Sequence, residues 1–145
     1  MDLTMSIVRQ FRPRSHKTLL HGYRGTMAGW EKMKFYVDFP RLSFDPNVMD
    51  FVEAEKQTVI SLPDSAVLVE SAAPFYGFPP GSEKELESPL TGDLISHPLG
   101  VKNVVEWVAR LRKQPVTQLA YITANNAKEF YDLPNHIFTD RFDEE

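Results

Sequence analysis

A chain of 145 residues with 42% hydrophobic residues has the material for one domain with its own core. It contains no cysteine, which excludes disulfides, thiolate zinc sites and cysteine nucleophiles and fits a reducing compartment. The net charge of −4 hides a basic first third, Arg9 to Lys34, and an acidic end from Asp140 to Glu145; without regularly interleaved aromatic residues the basic stretch reads as solvated faces.

Leu3, Ile7, Val8 and Phe11 recur near helical spacing, so residues 2–11 read as a short amphipathic helix, broken at Pro13. Thr18-Leu-Leu-His-Gly-Tyr reads as a strand (18–23). Thr26 is placed to cap a helix carrying Met27, Trp30 and Met33. Phe35-Tyr-Val-Asp-Phe is the expected second strand, stopped by Pro40. Asp45-Pro46 supplies a cap and a first-turn proline for a helix with Val48, Phe51, Val52, Val59 and Ile60 on or near one face. The third strand is 66–71. Pro74 to His97 forms a long connection, in which Lys84-Glu-Leu-Glu suits one helical turn. Two helices follow, the first with a Val101, Val104, Val105, Val108 and Leu111 stripe and His97 at its start, the second with Leu119, Ala120, Ile122, Ala127 and Phe130; Pro134 ends it. Trp30, Phe35, Tyr36 and Phe39 match a helix face and a strand, so core packing is preferred to base stacking.

Strands separated by helices imply parallel pairing. The expected order is a leading helix and turn (1–16), a βαβαβ core (17–73), the long loop (74–97), two helices (98–133) and a tail (134–145), all one domain. No apolar run approaches the roughly 20 residues of a membrane helix. The early acid Asp2 and the lack of a long apolar segment do not fit a secretory signal. The expected compartment is the cytoplasm, with the nucleus open.

The third strand carries the strongest functional signal. Ala66 to Val69 is an unbroken apolar run that turns polar at Glu70-Ser71, as a strand covered on both faces ends. In α/β folds the chemistry gathers at those carboxyl ends.

Three segments in order resemble the TatD-related metal-dependent hydrolases. Leu19-Leu-His-Gly-Tyr-Arg-Gly is similar to that family's sixth barrel strand, whose His is a metal ligand. Val67-Leu-Val-Glu-Ser-Ala-Ala-Pro-Phe is similar to the eighth strand, where the family reads Leu-Glu-Thr-Asp-x-Pro-Tyr and the Asp ligates metal. Ala120-Tyr-Ile-Thr-Ala-Asn-Asn-Ala-Lys-Glu-Phe is similar to the closing helix. The resemblance implies a partial TIM-type (β/α) barrel with about three parallel strands, since a complete one needs about 250 residues. It implies divalent-metal chemistry (Mg, Mn or Zn) on DNA. It carries His21 over as the residual metal ligand and puts Ala72, with no donor atom, at the family's Asp position. No His-x-His pair occurs in the sequence.

On these residues no catalytic group is assigned and no cofactor is expected to bind tightly, because one imidazole does not hold a metal where catalytic sites need three protein ligands. Glu70 faces the same side as Ala72 one pleat deeper and reads as hydrogen-bonded to backbone or basic neighbours. Asp38 reads as a solvated strand end, His97 as a cap, and His16 and His136 as loop residues. The expected function is that of the C-terminal part of a TatD-type deoxyribonuclease, inactive as this chain alone. The alternative is a non-catalytic truncated or interaction protein whose open edges pair with a second copy or a full-length homologue.

Overall fold

In a computed structural model, residues 6–7, 10, 15–75, 86–87, 94–95 and 98–134 are described. Three strands, β1 (Thr18–Leu20), β2 (Pro40–Phe44) and β3 (Val67–Val69), form a sheet in the order β1-β2-β3. Both pairings are parallel, with Leu20 opposite Leu42 and Leu42 opposite Val67. Among the described residues four α-helices accompany these strands: α1 (Met27–Tyr36), α2 (Glu53–Ser61), α3 (Val101–Arg112) and α4 (Val116–Phe130). The architecture is α/β with three parallel strands and flanking helices, as the alternation of elements implies.

The second strand is not where the sequence patterning puts it. Residues 35 and 36 finish α1, and the strand starts at Pro40 instead of ending there. Proline tolerates the first position of a strand because its missing N–H breaks no internal ladder bond. The Arg-Leu-Ser-Phe that follows supplies the buried residues: Leu42 and Phe44 are fully buried and Ser43 nearly so. Phe35 (66% exposed) and Phe39 (55%) lie outside the core, so of the aromatic cluster Trp30 is buried and Tyr36 packs at the core's margin.

Asp45 does cap the next segment, its carboxylate accepting from the Asn47 N–H at 2.9 Å. What it caps is a 3₁₀ turn, Pro46–Asp50, separate from α2. Splitting the expected long helix turns Val52 and Ile60 outward, while Val48, Phe51 and Val59 stay in the core. Thr26 occupies the cap position of α1 without a side-chain hydrogen bond. Within the long connection, Leu86–Glu87 pairs antiparallel with Leu94–Ile95 (β4 and β5), in place of the helical turn expected at 84–87. His97, His136 and most of the expected leading helix lie outside the described residues; Ser6, Ile7 and Gln10 are helical.

Helices α3 and α4 pack on each other and both touch β3, and α3 also covers α2 and the 3₁₀ turn. The stripe on α3 behaves as read, with Val104, Val105 and Val108 buried. Two polar side chains lock this layer. Arg112 at the end of α3 donates to the carbonyls of Val59 (2.7 Å) and Leu62 (2.9 Å) and pairs with Asp64. Those carbonyls belong to the last turn of α2, where backbone acceptors lack helical partners. Asn126 of α4 donates to the carbonyls of Asp64 (2.6 Å) and Val67 (2.8 Å), tying α4 to the start of β3.

Candidate functional site

Each strand of the parallel sheet is followed at once by an ionisable residue: His21 after β1, Asp45 after β2 and Glu70 after β3. Parallel pairing brings those carboxyl ends to one rim of the sheet. An open cleft of about 950 Å³ lies there, lined by these three residues together with Arg24, Asn47 and Ala72. Asp38, by contrast, sits at the start of β2 near Pro63 and Ser65, at the other end of the strands. His16 is exposed in the turn before β1.

Glu70 is the centre of the cleft's polar network. Ser43 Oγ donates to one carboxylate oxygen. The other, Oε1, is buried and has no aligned hydrogen-bond donor, although Nδ1 of His21 approaches it at 2.9 Å. The contact is therefore close without being a well-directed hydrogen bond, and it is an ion pair when the imidazole is protonated and the carboxyl ionised. Burial pushes the Glu70 carboxyl up to about 7; His21 opposes that rise, the neighbouring Asp45 charge adds to it, and the Gly22 N–H opposes it. The Glu70 side chain is 13% exposed while that of His21 is 69% exposed, so a buried acid holds an imidazole standing in the open cleft.

Gly22 makes this proximity possible. Its φ of +56° suits glycine, and a Cβ there would lie 3.3 Å from Asp45 Oδ2 and 3.7 Å from Glu70 Oε1. Asp45 itself is 6% exposed and accepts from both the backbone and the side-chain nitrogen of Asn47.

Ala72 is one of the few described non-glycine residues with positive φ (+51°). Left-handed backbone disfavours alanine by roughly 1–2 kcal/mol and is visited more readily by Asp and Asn. The backbone here keeps a shape suited to a short polar side chain, and the side chain is a methyl group. Ser71 beside it accepts the Ala73 N–H at 3.2 Å through Oγ.

The sequence-derived candidates are thus brought together in part. His21, Glu70 and Ala72 share one cleft, and Glu70 does meet a basic neighbour. With the second strand expected at 35–39, Asp45 reads only as a helix cap; with the strand at 40–44 it is also the carboxyl-end residue of β2. Ser43, Arg24 and Asn47 carried no sequence signal. Among the described residues no three His, Cys, Asp or Glu side chains form a group that could hold a metal ion. The donor chemistry agrees: position 72 offers none, Asp45 is committed to Asn47, and Nδ1 of His21 faces Glu70. These residues do not fit the metal centre that the fold implies.

Three solved structures share this fold. An E. coli TatD homologue, YJJV, superposes with a TM-score of 0.67 at 19% identity, covering 92% of this chain and 46% of that one. A TatD family hydrolase from Entamoeba histolytica gives 0.61 at 11% identity, covering 79% and 42%. An uncharacterised amidohydrolase from Saccharomyces cerevisiae gives 0.61 at 13%, covering 81% and 41%. The chain therefore spans less than half the length of these relatives. Comparison with curated proteins finds no match. Among the described residues no helix is long and apolar enough to cross a membrane. The family profile described as TatD related DNase matches residues 1–132, and with a parallel sheet of TatD-barrel type beneath that match, the chain belongs to the TatD-related DNase family, which is generally metal-dependent.

Proposed function

We propose that this chain is a segment of a TatD-type phosphodiester hydrolase, with DNA as the ancestral substrate, that does not cleave DNA when it is the only polypeptide present. What supports this reading is the cleft at the carboxyl ends of the strands, where His21 is the residue that the resemblance carries over as a metal ligand and Ala72, without a donor atom, stands at the resemblance's acid position. Metal-assisted phosphodiester hydrolysis requires several ligands to bind the ion, acidify a water and stabilise the transition state. In this chain Glu70 holds the imidazole and Ser43 holds Glu70. That network holds the imidazole and the carboxylate against each other. A single-stranded DNA cleavage assay with added manganese tests the reading: no cleavage above the chelated control is expected, and metal-dependent cleavage by the unmodified chain overturns it.

A second reading, favoured by the open sheet, is a non-catalytic interaction protein. Among the described residues β1 and β3 each pair with β2 alone, leaving two edges of the kind that attract further strands. A stable complex without nuclease activity supports this second reading. The expected compartment is the cytoplasm, with the nucleus open.

A further inference from the structure

The cleft at the carboxyl ends of the strands shows solvent a different set of groups from those in its buried network. Its carboxylates are turned inward: Asp45 is 6% exposed and bonded to Asn47, and Glu70 is packed against Ser43 and His21. The exposed lining residues are His21, Arg24 and Phe75. Strands added to make a larger barrel would join beside β1 and β3, at the edges of the sheet, and would leave this rim at the barrel's mouth.

Arg24 is held along one edge of its guanidinium. Its Nε donates to Glu55 Oε1 at 2.9 Å, its Nη2 reaches the Asp50 carbonyl at 3.5 Å, and the group lies 5.8 Å from the centre of the Phe51 ring. Glu55 is itself fixed, because its other oxygen accepts the Val52 N–H at 2.8 Å. The N–H groups of Nη1 meet no described acceptor. A planar fork clamped on one edge and free on the other is pre-set for a phosphate. Phe75 is 72% exposed, and its N–H donates to the Ala72 carbonyl at 2.9 Å, which anchors its backbone at the cleft wall. An exposed aromatic ring sharing a cleft with a cation suits an unpaired base and its phosphate.

We propose that Arg24 and Phe75 make this cleft a binding site for single-stranded nucleic acid that needs no metal, with the free fork of Arg24 on a backbone phosphate and an adjoining base stacked on Phe75. The ligand class rests on the phosphodiester reading above. The two residues do not, since neither stands at a metal-ligand position of the resemblance.

Fluorescence anisotropy of a short labelled oligothymidylate, with the full chain in excess chelator, tests it. Binding that weakens as salt rises is expected. Arg24→Gln should weaken it about tenfold and lower the slope of log affinity against log salt by about 0.7, the share of one single-strand phosphate contact. Arg24→Lys keeps the charge without the fork and should keep the slope. Phe75→Ala should weaken binding about tenfold with the slope unchanged, and Phe75→Trp should retain it. A duplex, whose bases are not free to stack, should compete poorly. Phe75 is exposed, so its variants leave the core intact, and circular-dichroism melts check that Arg24→Gln is folded. No binding by the unmodified chain overturns the proposal. So does binding that either Arg24→Gln or Phe75→Ala leaves unchanged, an Arg24→Gln slope equal to the original, or a duplex that competes equally. Cleavage with added manganese would overturn the inactive-segment reading without touching binding in chelator, so the two fail separately.

Discussion

Replacing Glu70 with Gln should flatten part of the protein's stability profile against pH. The carboxyl is raised from 4.5 to about 7 in the folded state, first by burial and then by its charged neighbours. The native state therefore holds this proton more tightly than the unfolded chain does. The stabilisation is fully present below about pH 4.5 and is lost as pH rises through about 7. One unit corresponds to about 1.4 kcal/mol, which sets an upper bound of about 3 kcal/mol. His21 returns some of this when both groups are charged, so about 1–3 kcal/mol is the working range. For a domain of this size that corresponds to roughly 3–10 °C in melting temperature. Gln keeps the shape and an acceptor for Ser43 but does not titrate. The stability of the unmodified chain minus that of Glu70→Gln, measured by urea unfolding from pH 4.5 to 8, should fall by that amount, mostly between pH 5 and 7.5. Using the difference cancels every other carboxylate. Parallel profiles, or a difference that grows with pH, refute the account of Glu70 as a buried acid held near neutrality.

Removing the imidazole with His21→Ala should move the Glu70 transition to higher pH, since the ion pair favours the carboxylate; a carboxyl-labelled NMR titration reads the shift directly. Asn126→Ala should cost about 2–4 kcal/mol in chemical unfolding, because it strips hydrogen bonds from the Asp64 and Val67 carbonyls in a packed layer. Ala72→Gly should be neutral or stabilising by up to about 1 kcal/mol, as relief of the left-handed backbone offsets the added chain entropy; a clear loss of stability contradicts the strain argument. Ala72→Asp alone should restore neither metal binding nor DNA cleavage, because it brings the family-type ligands to His21 and one acid, and calorimetry with an activity assay checks both halves.

The fold was legible where burial is continuous and illegible where proline and aromatic residues mislead. Val67 to Val69 and the valine stripe of α3 are apolar on the faces that end up inside, so sequence and structure agree there. Phe35-Tyr-Val-Asp-Phe has the composition of a strand, yet its aromatic residues are largely at the surface, and the real strand starts at Pro40 and carries the polar Ser43 among its buried residues. Ser43 is buried because its hydroxyl serves Glu70, a tertiary reason that local pattern does not carry. The same slip concealed Asp45. His21, Glu70 and Ala72 were found because family resemblance marked the ends of two strands. The closing-helix residues that carried the resemblance have structural work: Asn126 ties α4 to β3, and Thr123 bonds back to the Leu119 and Ala120 carbonyls.

On the reading proposed above, the cleft at the carboxyl ends of β1, β2 and β3 is not a working metal centre in this chain. Isothermal titration with manganese and with zinc, on the unmodified protein and on His21→Ala, tests it most directly. No binding tighter than the millimolar range is expected for either ion, and no difference between the two proteins. Micromolar binding that His21→Ala abolishes would contradict it, and would mean that Asp45 or Glu70 leaves its present partner to complete a site with His21.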